Sequence, residues 1–288
     1  METRYDIAII GSGPAGLSAA INAKIRNKNI IVFGNKDLSN KLVKAPLINN
    51  YLGLPSIKGK DLKEAFQKHI DKMRIKIKRE RINAVYAMGE YFSLMVNDKM
   101  YEATSLIIAT GIEYTKPLKG EEEFLGRGVG YCATCDAPLY KNKEVIIIGH
   151  NKEAEDEANF VSELTSKTYY VPMYEGKYFL NNRIEVIKDR PLEVMGEDRV
   201  EKLILKNGEL NTDGIFVLKD SISPGQLVPG LEMENSHIKV DRNMKTNIDG
   251  CFAAGDCIGK PYQYIKAAGE GQVAALSAVS YLDSFKNK

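Results

Sequence analysis

The opening of the chain carries the pattern that most restricts its fold. A short apolar strand, residues 5–10, runs into a turn with glycine at every position of a G-x-G-x-x-G pattern, and a helix follows directly. In this strand–turn–helix context the glycines allow a tight turn, close approach of a pyrophosphate to the backbone, and close packing of the helix on the strand. The sequence therefore predicts a dinucleotide site formed by Gly11, Gly13, Pro14, Ala15 and Gly16.

A second feature is the pair Cys132 and Cys135, which is separated by two residues and followed by Asp136. Such a pair is a zinc half-site, a coincidence of buried thiols, or a redox-active disulfide. Zinc normally needs four ligands, but the other cysteines, Cys251 and Cys257, are not at ligand spacing and the three histidines are scattered. We therefore favour a redox pair over a metal site, because two intervening residues let a disulfide open and close locally.

Length and composition indicate a globular protein of two domains. The chain has 288 residues, of which 44% are hydrophobic and 27% charged, an ordinary balance for such a protein. No apolar run approaches the roughly 20 residues of a membrane span, and the first strand starts too early for a signal peptide to precede it. Four cysteines in a chain of this length do not make a disulfide scaffold, so we predict an enzyme of the reducing cytoplasm, where a disulfide is more often catalytic than structural. We expect no membrane or nucleic-acid partner.

Three later segments resemble the flavin motifs of flavoproteins with two dinucleotide domains. Thr110 and Gly111 end an apolar strand in an A-T-G motif. Gly255 and Asp256 end the motif GCFAAGD, whose Asp binds the ribityl chain in that class, and Gln263 matches the flavin-facing start of its last helix. Because these motifs occur at both ends of the chain, we expect a discontinuous flavin domain.

Taken together, the chain resembles the low-molecular-weight thioredoxin reductases. Residues 121–136, EEEFLGRGVGYCATCD, are close to the redox-site signature of that family, and the segment NYLGLP from Asn50 resembles its Asn-aromatic-x-Gly flavin segment. The resemblance implies an α/β fold of two Rossmann-like domains, the second inserted into the first, with FAD as cofactor and a homodimer as the assembly. It implies that Cys135 faces the flavin, that Cys132 exchanges with thioredoxin, and that Asp136 handles the proton.

The resemblance also divides the chain. An FAD-binding domain would comprise residues 1–115 and 245–288, and an inserted domain, residues 116–244, would carry the cysteine pair. Lys41 lies where the family often has a glutamine near the flavin, so we expect it to tune the flavin or to contact a phosphate. The outer segments have a net charge of +8 and the inserted one of −6, which suggests that the two domains meet different partners.

The inserted domain departs from the family at its own nucleotide turn. Asn151 occupies the middle glycine position, acidic residues crowd positions 153–157, and no arginine occurs in residues 171–176, where NADPH-binding members carry a His-Arg-Arg run. We therefore predict a lost NADPH site, as in the ferredoxin-dependent flavin thioredoxin reductases, and an acidic ferredoxin that docks on the basic flavin domain. Two alternatives stay open: an NADPH-dependent thioredoxin reductase with a divergent site, and a non-enzymatic flavin and disulfide redox sensor.

One segment of the flavin domain is a candidate for the ferredoxin contact. Residues 73–81 alternate basic and apolar side chains, which predicts a half-buried strand with a basic face. A solvated strand face is the simpler interpretation, and Lys76 and Lys78 are the lysines to test for docking.

Overall fold

Two compact units make up the chain. The computed structural model describes residues 4–34, 38, 42–43, 45–80, 82–97, 99–112, 117–219 and 223–285, and of Cys135 only the backbone. The first unit comprises Met1–Glu113 and Ser223–Lys288, and the second comprises Tyr114–Ile222. The predicted α/β fold, in which a second Rossmann-like domain is inserted into the first, is confirmed.

The first unit is organised around a seven-stranded sheet. Its parallel strands lie in the order β3 (Ile77–Lys78), β2 (Ile30–Phe33), β1 (Tyr5–Ile10) and β6 (Lys99–Ile108), and β17 (Cys251–Ala253) pairs with the carboxyl end of β6. Two antiparallel strands, β5 (Phe92–Val96) and β4 (Ile82–Ala87), complete it. The helices whose bounds the structure describes are α1 (Pro14–Ile25), α2 (Gly59–Lys72), α5 (Pro224–Leu227) and α6 (Tyr264–Ser284). A separate ribbon pairs β15 (Met233–Glu234) with β16 (His237–Ile238).

The sequence explains how α1 and α6 pack against this sheet. β1 and β6 each end in a buried apolar run, residues 7–10 and 106–108, as expected of parallel strands covered on both faces. Pro14 stands at the start of α1, where its missing N–H has no intrahelical partner to lose. A Cβ on Gly271 of α6 would lie 2.0 Å from Ala15 O of α1, so glycine is required where the two helices meet.

Three parallel strands of the first sheet end side by side. Ile108 of β6 pairs with Ile10 of β1 on one side and with Ala253 of β17 on the other. The loops that follow these three strands therefore meet at one edge of the sheet. Ligands of open α/β sheets bind at the carboxyl ends of the strands, which makes this edge the expected position of a dinucleotide.

The second unit contains a five-stranded parallel sheet and a three-stranded antiparallel one. The parallel sheet has the order β10 (Ile184–Val186), β9 (Lys167–Pro172), β8 (Glu144–Gly149), β14 (Gly214–Leu218) and β7 (Val129–Gly130). The antiparallel sheet consists of β11 (Pro191–Gly196), β12 (Val200–Leu205) and β13 (Gly208–Asn211). The helices are α3 (Ala133–Asp136), which a 3-10 turn (Ala137–Tyr140) follows, and α4 (Glu153–Leu164).

The second boundary of the inserted unit differs from the prediction. It falls after residue 222 and not after residue 244, so residues 223–244 group with the first unit. Their packing explains this, because β16 contacts the 3-10 turn Asp256–Ile258. Met244 packs on the same core as α1 and α6, and its carbonyl accepts a hydrogen bond from Ala253 N at 3.0 Å.

The charge asymmetry between the units survives this change. The first unit has 25 Lys and Arg against 18 Asp and Glu, a net of +7, and the second has 15 against 20, a net of −5.

The predicted basic strand is shorter than residues 73–81, since only Ile77–Lys78 form β3. Lys76 is exposed, whereas Lys78 donates a hydrogen bond to Tyr101 Oη at 2.9 Å. No helix in the described ranges is long and apolar enough to cross a membrane.

Candidate functional site

The glycine turn after β1 has the geometry of a dinucleotide site. Gly11 has a φ of +120°, and a Cβ there would lie 2.1 Å from Ala109 O. A Cβ on Gly16 would lie 1.9 Å from Gly11 O, so both glycines are required by the backbone itself. Gly13 differs, because a Cβ there would meet no described atom within 4 Å. The open space beside Gly13, at the N-terminus of α1, fits a pyrophosphate.

The other predicted dinucleotide residues lie in the loops at the same edge. The Thr110 hydroxyl oxygen is buried and has no hydrogen-bond partner among the described residues, and Gly111 follows it with a φ of +72°. Gly255 has a φ of +90°, and Asp256 begins the next turn. A buried hydroxyl without a partner is unusual in a folded protein, and a bound dinucleotide at this edge would supply one.

Two further predicted residues contact each other. Asn50 donates a side-chain hydrogen bond to Gln263 Oε1 at 2.6 Å, which joins the loop before α2 to the residue that precedes α6. Tyr264 follows Gln263, and its pKa is raised, first by burial and then by the nearby Asp256. The structure therefore brings Asn50, Gln263 and Asp256 into one region of the first unit. Lys41 lies outside the described residues.

The cysteine pair lies in the second unit, at the start of α3. Cys132 is disulfide-bonded and buried, and its Sγ lies 3.5 Å from Thr134 Oγ1. The side chain of Cys135 is outside the described part, so its pairing with Cys132 stays a prediction.

The free cysteines Cys251 and Cys257 are buried, and burial raises the pKa of each to about 12, which makes both unreactive. The described residues include no group of three metal-ligating side chains that could hold a metal ion.

Asp136 has the environment of a proton donor. Burial raises the pKa of its carboxyl group, and a Cβ on Gly130 would lie 3.0 Å from Asp136 Oδ2. Tyr140, in the turn after α3, has a pKa that is raised first by burial and then by Asp136. A carboxyl group whose pKa is raised, next to a redox-active cysteine pair, is suited to donating and accepting a proton.

A buried ion pair, which could not be predicted from the sequence, lies next to the cysteine pair. Glu121 and Lys219 have side-chain exposures of 0% and 1%, and Lys219 Nζ lies 2.5 Å from Glu121 Oε1. Tyr131, which precedes Cys132, donates a hydrogen bond to the same oxygen at 2.9 Å, and Leu118 N donates to Glu121 Oε2 at 2.8 Å. Burial and Glu121 both raise the pKa of Tyr131, so its phenol is neutral and acts as the donor.

A second carboxylate reaches the cysteine segment from α4. Glu157 Oε2 accepts a hydrogen bond from the backbone N of Ala133 at 3.0 Å. Ala133 lies directly after Cys132, so this carboxylate contacts the peptide that Cys132 contributes. The sequence alone identifies Glu157 only as one of several acidic residues that would repel a phosphate.

The nucleotide turn of the second unit is occupied by its own side chains. Asn151 Oδ1 accepts a hydrogen bond from Ala154 N at 3.0 Å, so the side chain at the predicted middle glycine position caps α4. Glu155 is buried, with an exposure of 3%, and accepts hydrogen bonds from Phe179 N at 2.7 Å and from the Tyr174 hydroxyl. A phosphate at this turn would meet a buried carboxylate and one N–H that already has a partner.

Tyr170 closes the same region from β9. Its hydroxyl lies 3.1 Å from that of Tyr174, and a Cβ on Gly149 would lie 2.1 Å from it. Burial raises the pKa of Tyr170 to about 12. The ring therefore packs directly on the backbone of the first glycine of the turn.

Comparison with known proteins places the chain in a family. A model of the pyridine nucleotide-disulphide oxidoreductase family matches residues 5–271, and the chain belongs to that family. A thioredoxin reductase from Treponema pallidum is 34% identical, and the alignment covers 100% of each chain. Two crystal structures of a ferredoxin-flavin thioredoxin reductase from Clostridium acetobutylicum are 64% and 63% identical, cover 99% of this chain and 100% and 99% of theirs, and superpose with TM-scores of 0.85 and 0.89. Within its family the chain is a thioredoxin reductase relative, and the resemblance predicted from the sequence is confirmed.

Proposed function

We propose that the chain is an FAD-dependent thioredoxin reductase that receives its electrons from reduced ferredoxin. The observation that carries the choice of donor is the internally occupied nucleotide turn of the second unit, where Asn151 caps α4 and Glu155 is anchored by Tyr174 and Phe179 N. The named relatives at 64% and 63% identity support the same choice. We also propose a homodimer, which light scattering of the purified protein would test.

The first unit would hold FAD at the edge where β1, β6 and β17 end. The pyrophosphate would lie against Gly13 and the N-terminus of α1, where there is open space. Asp256 would bind the ribityl chain, and the Thr110 hydroxyl, which lacks a partner among the described residues, would bind the cofactor. Asn50 and Gln263, already joined by a hydrogen bond, would face the flavin. FAD, when bound, accepts electrons singly and passes them on as a pair.

The second unit would carry out disulfide exchange. Two electrons and two protons convert the disulfide of Cys132 and Cys135 into two thiols, and Asp136, whose pKa is raised by burial, donates one of the protons. The Cys132 thiolate then attacks the thioredoxin disulfide and forms a mixed disulfide. Cys135 displaces thioredoxin from it, which re-forms the bond to Cys132 and releases thioredoxin as a dithiol.

Anaerobic mixing of the protein with NADPH, NADH and reduced ferredoxin in turn tests the electron donor. We expect reduced ferredoxin to bleach the flavin absorbance and the nicotinamide cofactors to leave it unchanged. Rapid bleaching by NADPH would instead assign the chain to the NADPH-dependent reductases. Steady reduction of thioredoxin with ferredoxin as donor would exclude a sensor that only reports its disulfide state.

Charge reversal tests where ferredoxin docks. Lys58 and Lys60 are exposed at the start of α2, near the edge where the predicted FAD residues lie. Lys24 and Arg26 are exposed at the end of α1, which is the opposite edge, so reversing them makes the same charge change far from the site. We expect Lys58→Glu with Lys60→Glu to slow flavin reduction by ferredoxin, most strongly at low salt, and the α1 pair to have little effect. Equal effects of both pairs would mean that the whole surface charge, and not this edge, attracts ferredoxin.

A further inference from the structure

The acidic residues at the start of α4 do not share one role. Asp156 is exposed, Glu155 accepts hydrogen bonds from the Tyr174 hydroxyl and Phe179 N, and Glu157 reaches the cysteine segment. Its Oε2 lies 3.0 Å from Ala133 N, and Ala133 is one of the two residues between Cys132 and Cys135. A carboxylate is thus held within one peptide unit of the thiol that the proposed mechanism uses as the nucleophile.

We propose that Glu157 is a positioning residue that anchors the first turn of α3 and keeps the Cys132 thiol less acidic than it would be without this carboxylate. Two effects act in the same direction. The negative charge disfavours a thiolate close to it, and the hydrogen bond occupies a backbone N–H that would otherwise be available to a thiolate. The inference rests on the proposed role of Cys132 as the exchanging thiol.

No other titratable group named around the cysteine segment supplies the negative charge that we assign to Glu157. Asp136 lies on α3 itself and its raised pKa favours the neutral form. Tyr140, in the following turn, has a raised pKa as well, and the ammonium group of Lys143 lies 5.6 Å from the ring of Tyr140. Tyr131 is held neutral by burial and by Glu121. Glu157 is therefore the carboxylate that α4 contributes directly to the backbone of the cysteine segment.

One consequence is a reduced pair that small oxidants attack more slowly. A less acidic thiol has a smaller thiolate fraction at neutral pH, and oxidation by small oxidants follows thiolate character. The thiolate that does form is intrinsically more nucleophilic, because nucleophilicity falls as the pKa falls. The reduced pair would thus be protected from peroxide while it waits for the docked partner.

Alkylation of a single thiol tests this without ferredoxin or thioredoxin. In a Cys135→Ser background we expect Cys132 to react first, because burial raises the pKa values of Cys251 and Cys257 to about 12. The rate of alkylation by iodoacetamide, in which the thiolate displaces iodide, is measured against pH. Glu157→Gln removes the charge but keeps an oxygen that accepts from Ala133 N, and Glu157→Asp keeps the charge on a shorter side chain.

We expect Glu157→Gln to shift the alkylation profile to lower pH by about one unit, which is the usual size of a like-charge effect at close range. At pH values below the pKa of the variant's thiol, the alkylation rate would rise about three- to fourfold, since a tenfold gain in thiolate is partly offset by the lower nucleophilicity of that thiolate. Glu157→Asp would keep the native profile. Asp156→Asn, which removes the same charge from an exposed position on α4, is the matched control and would also keep it.

Three results would overturn the proposal. One is an unchanged profile in Glu157→Gln. Another is an equal shift in Glu157→Asp, which would mean that geometry and not charge is responsible. The third is an equal shift in Asp156→Asn, which would mean that any negative charge at the start of α4 affects the thiol and that the position of Glu157 is not special. None of these results depends on the electron donor, so they are distinguishable from a failure of the ferredoxin proposal.

Discussion

Replacing Lys219 with Met should destabilise the second unit strongly, because it leaves the buried Glu121 carboxylate without its counter-ion. Both side chains are at most 1% exposed, and the ammonium lies 2.5 Å from the carboxylate. Removing one partner of such a pair typically costs about 3–5 kcal/mol. The two remaining neutral donors, Tyr131 Oη at 2.9 Å and Leu118 N at 2.8 Å, do not neutralise the charge.

A second substitution should then restore part of the lost stability. In Glu121→Gln with Lys219→Met the buried charge is gone, and the amide oxygen still accepts from Tyr131. The amide group would face Leu118 N, donor against donor, so we expect a residual cost of about 1–3 kcal/mol for one unpaired buried group. The double variant should therefore be more stable than Lys219→Met alone, although it carries one more substitution.

Equilibrium unfolding in denaturant, followed by far-UV circular dichroism, measures these differences. Lys202→Met is the matched control, because Lys202 pairs with Glu209 in the same unit at exposures of 33% and 54%. A surface pair of this kind is worth about 0–1 kcal/mol. If Lys219→Met costs no more than Lys202→Met, or if Glu121→Gln adds a further loss on top of it, the buried-charge argument is wrong.

The remaining predictions concern the cofactor and the dithiol. Gly13→Ala should fold normally, because a Cβ there meets no described atom within 4 Å, but it should retain less flavin than the native protein; normal flavin content would reject the pyrophosphate position. Gly16→Ala, whose Cβ would lie 1.9 Å from Gly11 O, should fail to fold. Cys132→Ser should abolish thioredoxin reduction while flavin bleaching by ferredoxin persists; substantial turnover would reassign the exchanging thiol. Because burial raises the pKa of Asp136, the native protein should lose stability as the pH rises from the unfolded pKa through the raised one, and Asp136→Asn, compared by unfolding at several pH values, should lack that loss.

The residues that could be predicted from the sequence belong to local patterns. The glycine turn, the A-T-G strand end and the GD motif each need only a few consecutive residues, and the register of β1, β6 and β17 then brings Gly13, Thr110 and Asp256 to one edge. The α/β fold, with one Rossmann-like domain inserted into another, is implied by the resemblance to the thioredoxin reductases that these same patterns carry.

What could not be predicted depends on contacts between distant segments. Glu121 and Lys219 are 98 positions apart, and each looks like an ordinary surface charge until both are found buried. Glu157 was grouped with its acidic neighbours because sequence shows the charge of a helical turn but not which way each side chain points. The boundary after residue 222 was missed because the ribbon of β15 and β16 is too short to have a signature, and its place is decided by packing on the turn that begins at Asp256.

The occupied turn of the second unit has a consequence for engineering. Restoring a three-glycine loop by Asn151→Gly would remove the cap on Ala154 N and still leave Glu155 anchored to Tyr174 and to the backbone. Removing Glu155 first would leave Phe179 N without its acceptor and would leave the Tyr174 hydroxyl with Tyr170 in place of the carboxylate. Each single step toward a nicotinamide pocket thus loses stability before any ligand can compensate for it. An engineered nicotinamide site would therefore need Asn151, Glu155 and the tyrosines that contact it to be changed together. Single substitutions, selected one at a time, would each be lost because they destabilise the unit.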